Sequence, residues 1–178
     1  MTEGVGQDGA DPGLITVQLL DLPVALHARA TEHGEELQRE FVLIAEQVRH
    51  AEDPPSLPRR LLDLIAALQH RYSAFTVEQE DVLDRAVAEG QRSLDLTFRV
   101  PADVADAAVA LGGMLDEADE YCREGQHLLT LATPPDLVAY RRWYLQEFVD
   151  QIAGSPPTPW SPGWPANVEP LGSREGRV

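Results

Sequence analysis

The chain has 178 residues, and its 30 acidic residues outnumber its 14 basic ones, which leaves a net charge of -16. This excess of negative charge repels a phosphate backbone, so the composition argues against a nucleic-acid partner. No stretch approaches the ~18 consecutive apolar residues of a membrane-spanning helix, and the N-terminus lacks the basic start and apolar core of a signal peptide. The single cysteine, Cys122, cannot form an internal disulfide, which favours a reducing, cytoplasmic setting.

The two ends of the chain are predicted to lie outside the folded body. Residues 1–13 are rich in Gly and Asp and show no periodicity, which is typical of a disordered lead. Residues 154–178 contain six prolines and are expected to form an extended tail, because neither a helix nor a central strand tolerates that density. The body between them, residues 14–153, is predicted to be a single helical domain.

Two short segments have the apolar alternation of β-strands. Residues 14–20 are β-branched and partly alternating, and residues 93–100 alternate cleanly, with the apolar side chains at the even positions. A lone strand leaves its backbone groups unpaired, so the two segments are expected to pair as a small ribbon. The alternative for residues 93–100 is an extended connector.

Helical periodicity dominates the rest of the body. Apolar residues three and four apart predict a long first helix from Leu22 to a point before Asp53. A second helix is expected to begin after Ser56 as its N-cap. A third is expected after Thr76, because Thr76 and Gln79 have the spacing of a capping box.

The third predicted helix is expected to end at Gly90. The last two predicted helices are also bounded by glycine and proline. The fourth opens near residues 101–103 and ends near Gly125, and the fifth starts at Pro134. Apolar residues surround more than half of the fifth helix, so it is either central or covered on a second side. The proline- and tryptophan-rich tail that follows is a candidate for that cover. The predicted fold is therefore mainly α, a bundle of about five helices with a minor two-stranded β element.

No catalytic or metal-binding motif is recognisable. The two Glu-x-x-His motifs of helical di-iron proteins do not occur together, and the HExxH motif is absent. All 14 basic residues are arginine, which excludes Schiff-base and P-loop lysine chemistry. Cys122 falls on an apolar stripe, where a cysteine is usually inert. The sequence predicts no enzyme activity, no cofactor and no metal.

His33 interrupts the apolar stripe of the first helix, and two interpretations stay open. It is either a neutral core histidine hydrogen-bonded within the bundle, or a pH-sensitive switch or ligand contact. Under the second interpretation the chain is a small-molecule-sensing helical bundle with an internal pocket near His33.

Two groups of residues are candidates for contact with another protein. The fourth helix carries an acidic cluster, which is either a solvated face or a docking surface for a basic partner. The fifth helix carries a run of arginine and aromatic residues, which is either core with locally paired arginines or an interface of the hot-spot type. The candidate partner-binding residues are Asp116, Glu117, Glu120, Arg141, Arg142 and Trp143.

Three stretches carry a resemblance to a known group of proteins. Residues 22–41 and 116–135, followed by the Arg-Trp-Tyr run at 142–144, resemble small actinobacterial helical proteins. Those proteins are similar to companions of anti-sigma-factor kinases and STAS-domain antagonists in partner-switching stress regulation. The resemblance spans residues 14–160 and carries over no functional residue. It implies a non-enzymatic cytoplasmic regulator whose partner is another protein, such as an anti-sigma factor or a STAS-domain protein.

Overall fold

The computed structural model describes residues 13–47, 56–124 and 132–164, and in these ranges the predicted mainly α fold is confirmed. The elements in chain order are β1 (Leu14–Pro23), α1 (Val24–Gln47), α2 (Leu57–Tyr72), a 3-10 turn (Ser73–Phe75), α3 (Val77–Ala88), β2 (Ser93–Pro101), α4 (Val104–Glu124) and α5 (Pro135–Ile152). Among the described helices, none is long and apolar enough to cross a membrane. Nearly all of the predicted N-terminal lead, and the tail beyond Trp164, lie outside the described residues.

The two strands pair antiparallel, as the alternation of residues 93–100 predicts. Val17 lies opposite Phe98, and Leu19 lies opposite Leu96. All four side chains are buried, because residues opposite each other in a ribbon share a face and this face meets the helices. The extended-connector alternative for residues 93–100 is therefore wrong.

The first strand is longer than predicted, so the first helix begins later than Leu22. Asp21 has a positive φ of 53° at an irregularity in the pairing, which then resumes with Leu22 opposite Leu94. The Oδ1 atom of Asp95 accepts a hydrogen bond from the Asp21 N–H at 2.8 Å. Aspartate is one of the few residues that tolerate this backbone region. Leu22 is thus a buried strand residue, and its assignment to the first helix is wrong.

Helices α2 and α3 begin where the sequence predicts, but the capping of α3 differs. Ser56 and Thr76 stand at the N-cap positions, and neither side chain caps a backbone N–H. The Thr76 hydroxyl donates instead to Glu80 at 2.8 Å, and the Gln79 amide donates to the backbone carbonyl of Thr97 at 2.7 Å. The predicted capping box does not form, because Gln79 ties α3 to the outer edge of β2.

The core consists of two apolar clusters. The larger joins the sheet to α5, where the rings of Phe98 and Phe148 meet with their centroids 5.3 Å apart. The smaller brings α1, α2 and α4 together around Phe41 and Cys122. Burial raises the pKa of the Cys122 thiol to about 11, so the thiol stays protonated and unreactive near neutral pH.

Residues 153–164 form a non-helical strap that crosses back over α5. The backbone N–H of Trp160 donates to the Leu20 carbonyl of β1 at 3.0 Å. The indole N–H of Trp143 donates to the Thr158 carbonyl at 3.0 Å. The rings of Trp143 and Trp160 meet edge to face with their centroids 5.4 Å apart. The strap covers the second side of α5, which explains the wide apolar circumference of that helix.

A buried carboxylate anchors the strap. Glu147 is 1% exposed, and its Oε2 atom accepts hydrogen bonds from the Thr158 N–H at 2.9 Å and from the Gln151 amide at 2.8 Å. Burial raises the pKa of Glu147, and these hydrogen bonds offset the increase only in part. Folding therefore favours the protonated carboxyl. The resulting stability is present in acid and lost as the pH rises through the raised pKa.

Glu147→Gln should make stability less dependent on pH. The wild-type free energy of unfolding should fall relative to that of Glu147→Gln over the pH window that begins near the ordinary carboxyl pKa, about 4, and extends upwards. Urea unfolding at several pH values in this window measures the difference, and Asp63→Asn, at an exposed carboxylate, serves as the control. A constant difference between wild type and Glu147→Gln across the window would contradict the assignment.

Candidate functional site

A cavity of about 530 Å³, named here the central cavity, lies between α1, α2, α4 and α5. From α1 it is lined by His27 and His33, and from α5 by Tyr140, Arg141 and Tyr144. Ligand pockets in proteins typically have volumes of ~300–1,000 Å³, with apolar walls and a few polar groups. The apolar part of the wall consists of Ala30, Leu37, Leu111, Leu115, Leu137 and Leu145.

A hydrogen-bond chain runs along the wall from His33 towards Arg141. The hydroxyl and the backbone N–H of Thr133 both donate to Asp119 Oδ1, at 2.5 and 3.2 Å. Because the hydroxyl hydrogen points to Asp119, the hydroxyl oxygen accepts from His33 Nε2 at 3.1 Å. His33 Nε2 therefore carries a hydrogen. His33 is hydrogen-bonded within the bundle and also lines a cavity, so both interpretations of it stay open.

Arg141 is the charged centre of the wall. Its Nη2 atom donates to Asp116 at 2.6 Å and to Asp119 at 2.8 Å, and Arg142 donates to Asp116 at 3.2 Å. The side chains of Arg141 and Asp119 are only 14% and 5% exposed. The buried Nε atom of Arg141 has no hydrogen-bond partner in the described part of the chain. A buried donor left unsatisfied costs about 1–3 kcal/mol.

An aromatic pair, His27 and Tyr140, lines the central cavity. Burial raises the pKa of Tyr140 and lowers the pKa of His27, so the tyrosine keeps its hydrogen and the histidine is neutral. The Tyr140 hydroxyl and His27 Nδ1 share a hydrogen bond of 2.8 Å. The ring of His27 also stacks against Tyr144 with the centroids 6.4 Å apart.

Most of the residues predicted to bind a partner are engaged within the chain. Asp116, Arg141 and Arg142 form the ion-pair network of the cavity wall. Trp143 is fully buried and is a core residue, so it offers no surface to a partner. The arginine and aromatic run of α5 thus corresponds to the alternative of a core aromatic with locally paired arginines.

The other two predicted residues lie on the exposed side of α4. Glu117 pairs with Arg60 of α2 at 3.5 Å, and Glu120 pairs with Arg123 of the same helix. The side chains of Glu117 and Glu120 are 55% and 61% exposed. They remain accessible to another protein, although an arginine already neutralises each of them.

Sequence reasoning missed His27, Tyr140 and Tyr144 as residues of a site. The apolar circumference of α5 indicated that its aromatic residues are buried. Nothing in that pattern distinguishes a ring that fills the core from a ring that lines a cavity, because both positions repeat with the helical period. His27 lies beside the apolar stripe of α1, and its partner Tyr140 is 113 residues away in the chain.

Comparison with known proteins adds no relative: no protein-family model, no curated protein and no solved structure matches the chain. Within residues 13–47, 56–124 and 132–164, no group of three or more His, Cys, Asp or Glu side chains is placed to hold a metal ion. The fold and the site thus define a small helical protein with a ligand-sized apolar cavity. The resemblance to partner-switching companions remains a prediction.

Proposed function

We propose that the protein is a non-enzymatic regulator that binds a small molecule in the central cavity. The observation that carries the proposal is a cavity of about 530 Å³ whose wall is largely apolar and carries a few polar side chains, among them His33, Tyr140 and Arg141. The cavity is partly open to the surface, so a ligand can enter it. A ligand would gain about 25 cal/mol for each Å² of apolar surface that it buries.

The residues of the wall define what the ligand must offer. Five leucines from three helices favour an apolar body. The side chains of His33, Tyr140 and Arg141 favour a polar atom on that body. Binding at this place would stabilise the packing of α1, α2, α4 and α5 by mass action.

Docking of another protein, such as an anti-sigma factor or a STAS-domain protein, is a second candidate function. It is favoured by the exposure of Glu117 and Glu120, whose ion pairs lie on the surface. Surface ion pairs contribute about 0–1 kcal/mol, so a basic partner could replace the arginines at little cost. The two functions are compatible, because a ligand in the central cavity would change the stability of the same α4 helix.

Two glycines provide a matched test of the ligand site. Gly34 lines the central cavity and Gly113 is exposed on α4, and a Cβ atom built at either position meets no atom within 4 Å. Gly34→Leu should reduce the volume of the central cavity. It should therefore weaken binding of the neutral apolar dye Nile red by more than about tenfold. Gly113→Leu should leave the dye affinity unchanged. Dye fluorescence titration measures both.

The two replacements are matched in their effect on the helix. Each removes a glycine from a helix interior, which should raise the stability of both variants by roughly 0.5–1 kcal/mol. A difference in dye affinity between them therefore reports the cavity and not the helix. Equal affinities of Gly34→Leu and Gly113→Leu, or no stoichiometric binding to the wild type, would overturn the proposed function.

A further inference from the structure

A second cavity, of about 580 Å³, opens between α1 and α3 and is lined by carboxylates. Glu32 and Glu35 line it from α1, and Glu80 and Asp84 line it from α3. All four residues are exposed. None of the residues that line this cavity in the described part of the chain is an arginine. This cavity is named here the acidic mouth.

The acidic mouth adjoins the central cavity. His27, Thr31 and Tyr144 line both of them. The carboxylates of the acidic mouth influence the pKa values of side chains in this shared wall. The carboxylate of Asp84 favours protonation of His27, although burial outweighs it, and the carboxylate of Glu80 helps to raise the pKa of Tyr144. A molecule lying along the shared wall therefore contacts apolar side chains at one end and carboxylates at the other.

The carboxylates of the mouth are neutralised far less than those of α4. In the α4 cluster, an arginine pairs with each of Asp116, Glu117, Asp119 and Glu120. In the mouth, the ion pair within the described residues is that of Glu35 with Arg39, at 3.6 Å with both side chains 63% exposed. An exposed pair of this kind contributes little. The mouth thus keeps a negative charge in a chain whose net charge is already -16.

These charges select the sign of the ligand. A concave site lined by one sign of charge concentrates ions of the opposite sign and repels those of its own. An anionic head group in the mouth would lie near the same four carboxylates.

We propose that the ligand is an organic cation with an apolar body, whose body occupies the central cavity and whose charged group lies in the acidic mouth. This inference rests on the proposed function, since it assigns the ligand class of the same site. A metal ion fits the mouth less well, because no group of described residues there is arranged as a ligand set.

The first experiment uses three probes that share one apolar chain and differ in charge. Decyltrimethylammonium, decanol and decanoate, each below its micelle concentration, compete with Nile red for the full-length protein. The cation should displace the dye at a concentration at least about tenfold lower than decanol, and decanoate should be the weakest competitor. Decanol or decanoate competing as well as the cation would overturn the inference. Failure of Nile red to bind at all would overturn the proposed function instead.

A second experiment locates the charge preference. The combined variant Glu32→Gln, Glu35→Gln, Glu80→Gln and Asp84→Asn should keep its affinity for Nile red and lose the preference for the cation. The control variant carries amides at four exposed acidic positions outside both cavities, and it loses the same number of charges. Its replacements are Glu36→Gln, Glu40→Gln, Asp63→Asn and Asp106→Asn.

The two charge variants separate a local site from a general effect of net charge. The control variant should retain the preference for decyltrimethylammonium over decanol. An equal loss of preference in both variants would show that the whole molecule attracts the cation, and would overturn the assignment to the mouth. If the combined variant does not fold, the pair Glu80→Gln and Asp84→Asn alone should reduce the preference by at least about threefold.

Discussion

Replacing Trp143 by alanine should lower the free energy of unfolding by about 3–5 kcal/mol. The Trp143 side chain belongs to α5 and is fully buried where the strap crosses this helix. Its ring meets those of Tyr140 and Trp160 with centroids 5.9 and 5.4 Å away, and its N–H donates to the Thr158 carbonyl. Alanine would remove this apolar contact, leave a cavity and take the donor from a carbonyl of the strap.

Two further variants separate the contribution of the aromatic ring from that of the indole N–H and provide a surface control. Trp143→Phe keeps an aromatic ring and removes the indole N–H, so it should cost less than Trp143→Ala. Val77→Ala, at an exposed position, should change stability by less than about 0.5 kcal/mol. Urea unfolding followed by circular dichroism is the measurement, because tryptophan fluorescence would change with the substitution itself. A loss below about 1 kcal/mol for Trp143→Ala would contradict the role of this residue in the core.

The same substitution tests how the strap is held. The strap contacts the body through Trp160, which meets both Tyr140 and Trp143. With Trp143 removed, the strap keeps its Glu147 anchor and its backbone bond to β1 but loses one of the two rings on which Trp160 packs. Chymotrypsin should therefore cleave at Trp160 faster in Trp143→Ala than in Trp143→Phe.

The elements of the fold could be predicted because each follows from a local period. The alternation at residues 93–100 and the three-and-four spacing of the helices depend only on which side of an element meets the core. The end of β1 could not be predicted in the same way. Asp21 adopts its left-handed backbone next to Asp95, 74 residues further along the chain, and no local pattern reports such a contact.

The candidate site was predictable only at His33, and there only as a pair of alternatives. The spacing placed His33 on the inner side of α1, but its partner Thr133 is 100 residues away. The sequence shows the carboxylates of α4 only as an acidic cluster, either a solvated face or a docking surface. Their partners Arg141 and Arg142 come from α5, and which helix lies beside α4 is a property of the tertiary fold.

Arg141→Ala is the second substitution for which we expect a loss of about 3–5 kcal/mol in the free energy of unfolding. The Asp119 side chain is 5% exposed and Arg141 donates to it at 2.8 Å. Removal of the arginine leaves a buried carboxylate without its cation, and that desolvated charge is the main source of the loss. Arg123→Ala is the matched control, because its pair with Glu120 lies on the surface, and it should cost less than about 1 kcal/mol.

A double-mutant cycle decides whether the cost comes from the unpaired aspartate. Asp119→Ala removes the carboxylate, so Arg141→Ala should cost much less in that background than in the wild type. The coupling energy between the two positions should exceed that between Glu120 and Arg123 by at least about 1 kcal/mol. Additive effects at Arg141 and Asp119 would show that the charges are separately solvated. The wall of the central cavity would then be wet rather than buried, and an apolar ligand would lose most of the burial that favours its binding there.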